Sequence, residues 1–258
     1  MILLDGKTLS EKILSDLKLK INTHQSEINL DIILVGEDPS SIKYVELKQK
    51  KALEVGIGGQ LYRLPADTSI DELQVLFCSL NQNPNTTGFF IQLPIPGLSD
   101  PSALLKQILP QKDADGLNLD SGIFPAVVKG IVNLLENYQI SLDQKNIVIV
   151  NDSDLIGKPL KKYFSQFTSN IFLLNRESGP LSTYTQNADI LISATGTKNI
   201  ITADMVKEGV VVIDVANGDV DFANVSKKSA YITPTFGGVG PMTVASLLEN
   251  TYLLATRK

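Results

Sequence analysis

The amino-acid sequence predicts an α/β protein of two βαβ-type domains with parallel sheets. Short, mostly apolar runs, such as residues 30–35 and 147–150, are typical of strands that are covered on both faces. Segments in which apolar residues recur at helical spacing alternate with these runs along the chain. At 258 residues, the chain is long enough for one or two domains with sizeable cores.

The first half of the chain supplies the elements of the first domain. The predicted strands are residues 2–4, 30–35, 60–64 and 88–93, and the predicted helices are residues 10–23, 41–55 and 70–81. In such a parallel arrangement, functional side chains are expected where the strands end.

Composition narrows the choice of function. The 23 basic and 28 acidic residues give a net charge of -5, and no long basic block is present, so a nucleic-acid partner is not expected. No apolar run approaches the roughly 18 residues of a membrane span, and the start lacks the pattern of a secretion signal. We therefore expect a cytoplasmic protein with no membrane partner.

Cysteine and histidine are too rare for several kinds of site. Cys78 is the single cysteine, which excludes an internal disulfide, and its apolar setting predicts a buried helix position. His24 is the single histidine, so a histidine relay and a histidine-rich metal site lack support, and no metal site is predicted. Acid–base chemistry must then fall to a lysine, a tyrosine or a carboxylate.

The helix predicted at residues 41–55 carries the first candidate site. Ser41 and the proline shortly before it favour a helix start, and Gly56 marks the end. Tyr44 and Lys48 are four residues apart, so a phenol and an ammonium share one helix face. The alternative for Lys48 is an ordinary surface cation, since most lysines are exposed.

Two later segments carry polar side chains in turns or at strand ends. Gln92 comes before two prolines, at positions 94 and 96, which hold the segment extended and would fix the Gln92 amide. Residues 112–116, Lys-Asp-Ala-Asp-Gly, form a predicted loop with two carboxylates. Taken alone, this loop is typical of a solvated turn.

Four motifs together resemble the bifunctional methylenetetrahydrofolate dehydrogenase/cyclohydrolase family. They are Pro-x-Ser-x-x-Tyr-Val-x-x-Lys at 39–48, Gln-Leu-Pro-x-Pro at 92–96, Lys-Asp-x-Asp-Gly at 112–116 and Gly-Gly-Val-Gly-Pro-Met-Thr at 237–243. The motifs follow the family's order over nearly the whole chain. The resemblance implies a one-carbon enzyme linked to purine biosynthesis. Such an enzyme oxidises methylenetetrahydrofolate with a nicotinamide cofactor and hydrolyses the methenyl product to formyltetrahydrofolate.

The resemblance also implies a catalytic set. Tyr44 would pack against the pterin ring of the substrate, Lys48 would move the proton in hydrolysis, and Gln92 would orient Lys48. Asp115 would accept hydrogen bonds from the amino-pyrimidinone edge of the pterin. The remaining implied substrate contacts are Ser41, Gly238 and Pro241.

The second predicted domain is a Rossmann-like, NAD(P)-binding domain. Its first strand leads into the turn at residues 151–159, where such a fold brings a phosphate to the amino end of a helix. The usual glycine fingerprint is absent, but Ser153 and Gly157 match the turn of the resembled family. The implied cofactor-binding residues are Asn151, Asp152, Ser153, Gly157, Arg176, Thr195 and Gly196.

The implied cofactor is NADP, with NAD left open. Asp152 stands where the family has an arginine, and a carboxylate there would repel the adenosine phosphate. Arg176, after the second strand of this domain, could bind the phosphate instead. The alternatives are a site that prefers NAD and a site that has lost its cofactor.

The resemblance assigns residues 1–122 and 241–258 to the folate-binding domain and residues 123–240 to the cofactor domain. A last helix starting near Thr243 is expected to pack back on the first domain. The loop after Gly116 is shorter than in most of the family. Family members are commonly homodimers acting on tetrahydrofolate derivatives. Two other functions stay open: a monofunctional cyclohydrolase with a degraded cofactor site, and a non-catalytic folate or nucleotide binder.

Overall fold

The computed structural model describes residues 1–118 and 120–257 and divides into two compact units. Unit one comprises Met1–Glu11 and Val127–Thr243, and unit two comprises Lys12–Ala126 and Val244–Lys258. Leu119, in the shortened loop, and Lys258, in the range predicted for the folate-binding domain, lie outside the described residues.

Unit two is built on a parallel sheet in the order β3 (Leu61–Leu64), β2 (Leu30–Val35) and β4 (Gly88–Ile91). Every residue of the central strand β2 is buried, as its mostly apolar run predicts. The one charged residue of the strand, Asp31, accepts hydrogen bonds from the Gln60 amide at 2.7 Å and the Thr86 hydroxyl at 2.6 Å. The described α-helices that start before residue 126 are α1 (Gly6–Asn22), α2 (Pro39–Val55), α3 (Ile70–Gln82) and α4 (Ser102–Leu105).

The last helix, α9 (Val239–Thr256), belongs to unit two from Val244 onward. Leu247 and Leu248 lie in one core cluster with Ile32 of β2 and Val45 of α2. The predicted packing of this helix on the first domain is confirmed. The helix begins at Val239, whereas the sequence predicts a start near Thr243. Thr243 instead donates its hydroxyl to the Val239 carbonyl at 3.1 Å, inside the first turns.

Side-chain caps fix where helices α1 and α2 begin. The Asp5 carboxylate accepts hydrogen bonds from the Thr8 amide at 3.0 Å and the Thr8 hydroxyl at 2.7 Å, so α1 starts before the predicted residue 10. Asp38 accepts from the Ser41 amide at 2.8 Å and caps α2. That helix ends as predicted at Gly56, whose φ of 94° is the left-handed cap conformation.

The prediction that Cys78 is buried is wrong. Helix α3 buries Leu73, Phe77 and Leu80, and Cys78 is exposed. Adjacent residues on a helix are about 100° apart, so the position after Phe77 turns away from the core. The apolar neighbours of Cys78 in the sequence belong to the opposite face of the helix.

Unit one contains a parallel sheet in which the described strands follow the order β1-β9-β8-β7-β5-β6. These strands are β1 (Ile2–Leu3), β5 (Ile147–Val150), β6 (Ile171–Leu174), β7 (Ile190–Ser193), β8 (Val210–Asp214) and β9 (Ser229–Ile232). The associated helices are α5 (Ala126–Asn137), α6 (Gly157–Phe164), α7 (Ser182–Thr185) and α8 (Phe222–Val225). The chain runs from β5 to β6 on one side and returns to β7 on the other, which is the topological switch of a Rossmann-like fold.

The amino terminus, residues 1–11, belongs to unit one, whereas the resemblance places residues 1–122 in the folate-binding domain. Strand β1 pairs in parallel with β9, and Ile2 lies opposite Tyr231. A strand of two residues carries no local signal of its distant partner, so the sequence pattern could not place it. In the described part of the chain, no helix has the length and apolar character that a membrane span requires.

Candidate active site

Lys48 is the centre of a buried polar cluster in unit two. It lies on the inward face of α2 and is 3% exposed. Its Nζ donates a hydrogen bond to Gln92 Oε1 at 3.0 Å. The Gln92 amide nitrogen donates to the Leu93 carbonyl at 2.7 Å, which turns the amide oxygen toward the lysine. Lys48 is therefore no surface cation, and the peptide bond that follows this carbonyl, Leu93–Pro94, is cis.

Two aromatic rings face the Lys48 ammonium. The Tyr44 ring centroid lies 4.8 Å from Nζ, as the four-residue spacing on the helix predicts. The Phe90 ring centroid is closer, at 4.2 Å. Phe90 was not predicted as part of the site, although its spacing from Gln92 in the sequence pointed to it. Phe90 is two residues before Gln92, and residues at that spacing on a strand point to the same face.

Lys48 and Asp115 perturb each other electrostatically. Burial lowers the pKa of Lys48 below its usual value, and the charge of Asp115 acts in the opposite direction. Burial raises the pKa of Asp115, and the charge of Lys48 opposes this rise. These opposed shifts move the pKa values of both the acid and the base toward neutral pH. Such perturbed pKa values are common among catalytic groups.

The loop that carries Asp115 is held by the carboxylate of Asp113. This fully buried side chain accepts hydrogen bonds from the amides of Gly116 at 3.0 Å, Leu117 at 3.2 Å and Asn118 at 2.8 Å. Burial raises the pKa of Asp113 to about 6, although the Asn118 amide favours the charged form. The interpretation of this segment as a solvated turn is wrong.

The other predicted substrate contacts are described in different places. Ser41 is buried in the first turn of α2, in the same unit as Lys48. Gly238 and Pro241 belong to unit one, at the start of α9. There the preceding residue, Gly237, accepts a hydrogen bond from the Lys7 amide at 2.8 Å.

Unit one has a cavity of about 660 Å³ at the carboxyl ends of β5, β6 and β7. Ligand sites of dinucleotide folds lie at this position, and the volume is in the range of small-molecule sites. Among its lining residues are four of the predicted cofactor contacts, Asn151, Asp152, Arg176 and Thr195. Asn175 also lines the cavity and was not predicted.

The turn after β5 is organised by Asn151. Its Oδ1 accepts from the Ser153 amide at 2.9 Å, the Ser153 hydroxyl at 2.7 Å and the Gly157 amide at 3.2 Å. Its Nδ2 donates to the Ala194 carbonyl at 2.8 Å, joining the ends of β5 and β7. A Cβ on Gly157 would lie 2.0 Å from the Asn151 carbonyl oxygen, so this position requires glycine. Ser153 and Gly157 thus shape the cavity by building the turn.

The carboxylate of Asp152 is engaged by Asn175 and not by Arg176. Asn175 Nδ2 donates to Asp152 Oδ2 at 2.8 Å, and both side chains are exposed at the cavity edge. Arg176 is exposed and lines the same cavity. One cationic group, Arg176, and two anionic groups, Asp152 and Glu177, thus line the cavity in which an adenosine phosphate would have to bind.

Asp219, which the sequence analysis also missed, fixes the segment after β7. It is 1% exposed, and its Oδ2 accepts from the Ser193 hydroxyl at 2.6 Å, the Thr195 amide at 2.6 Å and the Thr195 hydroxyl at 2.9 Å. Asp219 also lines a second cavity, of about 380 Å³, together with the predicted cofactor contact Gly196. Among the residues that the structure describes, no group of three or more His, Cys, Asp or Glu side chains could hold a metal ion.

Comparison with known proteins covers both units. The family model for the tetrahydrofolate dehydrogenase/cyclohydrolase catalytic domain matches residues 4–115, and that for the NAD(P)-binding domain matches residues 125–258. The bifunctional protein FolD of Campylobacter jejuni strain RM1221 is 41% identical over an alignment that spans 100% of this chain and 99% of that protein.

Solved structures agree with the sequence comparison. The crystal structure of the Campylobacter jejuni bifunctional enzyme FolD superposes with a TM-score of 0.93 at 40% identity, covering 99% of this chain and 98% of that one. The FolD of Trypanosoma brucei, solved with NADP cofactor and an inhibitor, gives a TM-score of 0.91 at 27% identity, covering 98% and 97%. This chain belongs to the tetrahydrofolate dehydrogenase/cyclohydrolase family.

Proposed function

We propose that this chain is a bifunctional enzyme that oxidises methylenetetrahydrofolate with NADP and hydrolyses the methenyl product to formyltetrahydrofolate. The observation that carries the proposal is the hydrogen bond between Lys48 and Gln92 inside a buried cluster. Burying an amine costs free energy, and simple binding of a pterin, by stacking on a ring and hydrogen bonding to a carboxylate, does not require one. A proton-transfer step does.

The residues around Lys48 fit the hydrolysis step. In that step the oxygen of water bonds to the methenyl carbon, one carbon–nitrogen bond breaks, and one proton is released overall. Because burial lowers the pKa of Lys48, a larger fraction of the amine is neutral at working pH and can take a proton from the attacking water. Gln92 holds the amine in place, and Asp115 binds the amino-pyrimidinone edge of the substrate. Tyr44 packs on the pterin ring.

The cavity at the ends of β5, β6 and β7 fits a dinucleotide, and Arg176 supplies a cation for its phosphate. Bound NADP would supply the acceptor for the hydride that leaves methylenetetrahydrofolate. The turn beside the cavity is shaped by Asn151, Ser153 and Gly157. The segment after β7 contains Thr195 and Gly196. The contribution of this unit is to orient the cofactor and exclude water.

A turnover assay tests both activities. With methylenetetrahydrofolate and NADP, the absorbance of reduced nicotinamide should appear; its absence with both NADP and NAD would leave the cyclohydrolase or the binding protein. Lys48→Met should keep folate binding and lose methenyl hydrolysis by at least about a hundredfold. Lys51→Met is the matched control, since Lys51 lies on the same helix but pairs with Glu54 on the surface. Undiminished hydrolysis in Lys48→Met would remove Lys48 from its role.

The proposal extends to the biological setting expected from the sequence. We expect a cytoplasmic homodimer that supplies formyl groups for purine biosynthesis, and Gly238 and Pro241 as further folate contacts. Light scattering in solution checks the oligomeric state, and a monomer mass at micromolar concentration would contradict it.

A further inference from the structure

Phe90 has a neighbour that a core phenylalanine rarely has, a buried ammonium group. The Phe90 side chain is 0% exposed, and its ring centroid lies 4.2 Å from Lys48 Nζ. That distance is shorter than the 4.8 Å to the Tyr44 ring, which is the partner expected from helical spacing. The amine thus meets a second ring from strand β4 in addition to the one on its own helix.

The physical effect of such a contact is well defined. The face of an aromatic ring carries negative charge density, so it attracts a cation, and the attraction is strongest where water is excluded. Lys48 is 3% exposed, so water screens this contact little. The other groups facing the amine are the Gln92 amide from the end of β4, the Tyr44 phenol from α2 and the Asp115 carboxylate from the 113–118 loop.

We infer that Phe90 is a positioning residue for the Lys48 amine. The Phe90 ring holds the amine in place and offsets part of the desolvation cost of its protonated form. The inference concerns this chain's own geometry, and its kinetic consequence rests on the proposed function. In the reaction, an amine that has just accepted a proton keeps its hydrogen bond to Gln92, because two rings and an amide oxygen surround it. Phe90 acts through Lys48 and is not assigned a contact with substrate.

The adjacent residue in β4 provides a matched control. Phe89 is also 0% exposed, but successive side chains on a strand point to opposite faces. Its ring packs edge-to-face on Phe77 of α3, with centroids 5.4 Å apart, and makes no described contact with Lys48. Phe89→Leu and Phe90→Leu therefore remove the same atoms from the same strand, and only the second removes a ring from the amine.

The direct test is an NMR titration of Lys48 in the full chain, with lysine labelled at Cε and the Lys48 signal assigned by its loss in Lys48→Met. In Phe90→Leu the midpoint of this titration should fall by about one pH unit, the size expected for a desolvated cation–π contact. In Phe89→Leu the midpoint should stay at its wild-type value. Water entering the space beside leucine would move the midpoint upward, so a downward shift is diagnostic.

A second variant removes the ambiguity of packing. Pentafluorophenylalanine introduced at position 90 keeps the ring's shape but takes negative charge off its face, and it should also lower the midpoint. An unchanged or raised midpoint in both Phe90 variants, or an equal fall in Phe89→Leu, would overturn the inference. In methenyl hydrolysis, the acidic limb of the pH–rate profile should move in the same direction as the titration. If the Phe90 variants show the titration shift but the wild-type chain hydrolyses no methenyltetrahydrofolate, the proposed function is refuted and this inference stands.

Discussion

Arg176 offers the sharpest test of how this chain selects NADP, because Arg176 and Asp152 bring opposite charges to one cavity. Arg176→Ala removes the guanidinium that we assign to the adenosine phosphate. A hydrogen bond to a charged group contributes about 1.5–3 kcal/mol net, and the lower end applies because Arg176 is exposed and solvent screens it. A loss of about 1.5 kcal/mol corresponds to about a tenfold fall in kcat/KM with NADP. NAD lacks the phosphate, so its kcat/KM should stay nearly constant.

Asp152→Asn should act in the opposite direction. The substitution keeps an acceptor for Asn175, which now donates to Asp152 Oδ2 at 2.8 Å, but removes a negative charge from the cavity edge. We expect kcat/KM with NADP to rise by about threefold at low salt and by less at high salt, since exposed charges are screened.

The assay compares initial rates of methylenetetrahydrofolate oxidation with NADP and with NAD for each variant. Arg63→Ala is a control, since Arg63 is an exposed arginine in unit two that faces Glu46 at 3.6 Å. Equal losses with both cofactors in Arg176→Ala would mean that Arg176 supports the fold of the cavity and does not bind the phosphate. An unchanged kcat/KM with NADP in Arg176→Ala would refute the assignment outright.

The remaining predictions separate the two activities and the cost of the buried amine. Gly157→Ala would bring Cβ to 2.0 Å from the Asn151 carbonyl oxygen, so oxidation should fall by at least about tenfold while methenyl hydrolysis is kept. Equal losses of oxidation and hydrolysis would contradict a role confined to the turn. Asp219→Asn replaces an acceptor of three hydrogen bonds, and we expect a raised KM for NADP with unchanged hydrolysis. Lys48→Met should raise the free energy of unfolding in urea by about 1 kcal/mol at neutral pH. Because the folded chain lowers the pKa of Lys48, wild-type stability should rise with pH up to about 10.5, and the Met variant should lack that rise.

Local signals in the sequence predicted the parts of the fold that depend on nearby residues. The mostly apolar run of β2, the glycine that ends α2 and the shared face of Tyr44 and Lys48 are all properties of short segments. The structure places them as expected. The pairing of β1 with β9 could not be predicted in this way, because about 230 residues of chain separate the partners, and a strand of two residues fits any parallel edge.

The same division holds within the candidate site. Lys48, Gln92 and Asp115 were predicted because the motifs around them resemble a known family, but the side chains that tune them lie outside those motifs or have no motif of their own. Phe90 reads in the sequence as one more apolar residue of a buried strand. Asp219 reads as a turn residue between a glycine and a valine. Each makes its contact with the candidate site only through a partner that the fold brings from elsewhere in the chain.

The buried amine explains why the surrounding groups come from separate elements. On its own helix, a lysine side chain meets side chains three or four residues away. For Lys48 this spacing supplies the Tyr44 ring. The second ring comes from strand β4, and the amide oxygen comes from Gln92, directly after that strand. The carboxylate comes from a loop that Asp113 holds through three backbone amides. Each of these contacts offsets part of the desolvation of Lys48 without fully neutralising it. That partial compensation leaves the amine buried with a pKa below its usual value, as the proton transfer that we propose requires.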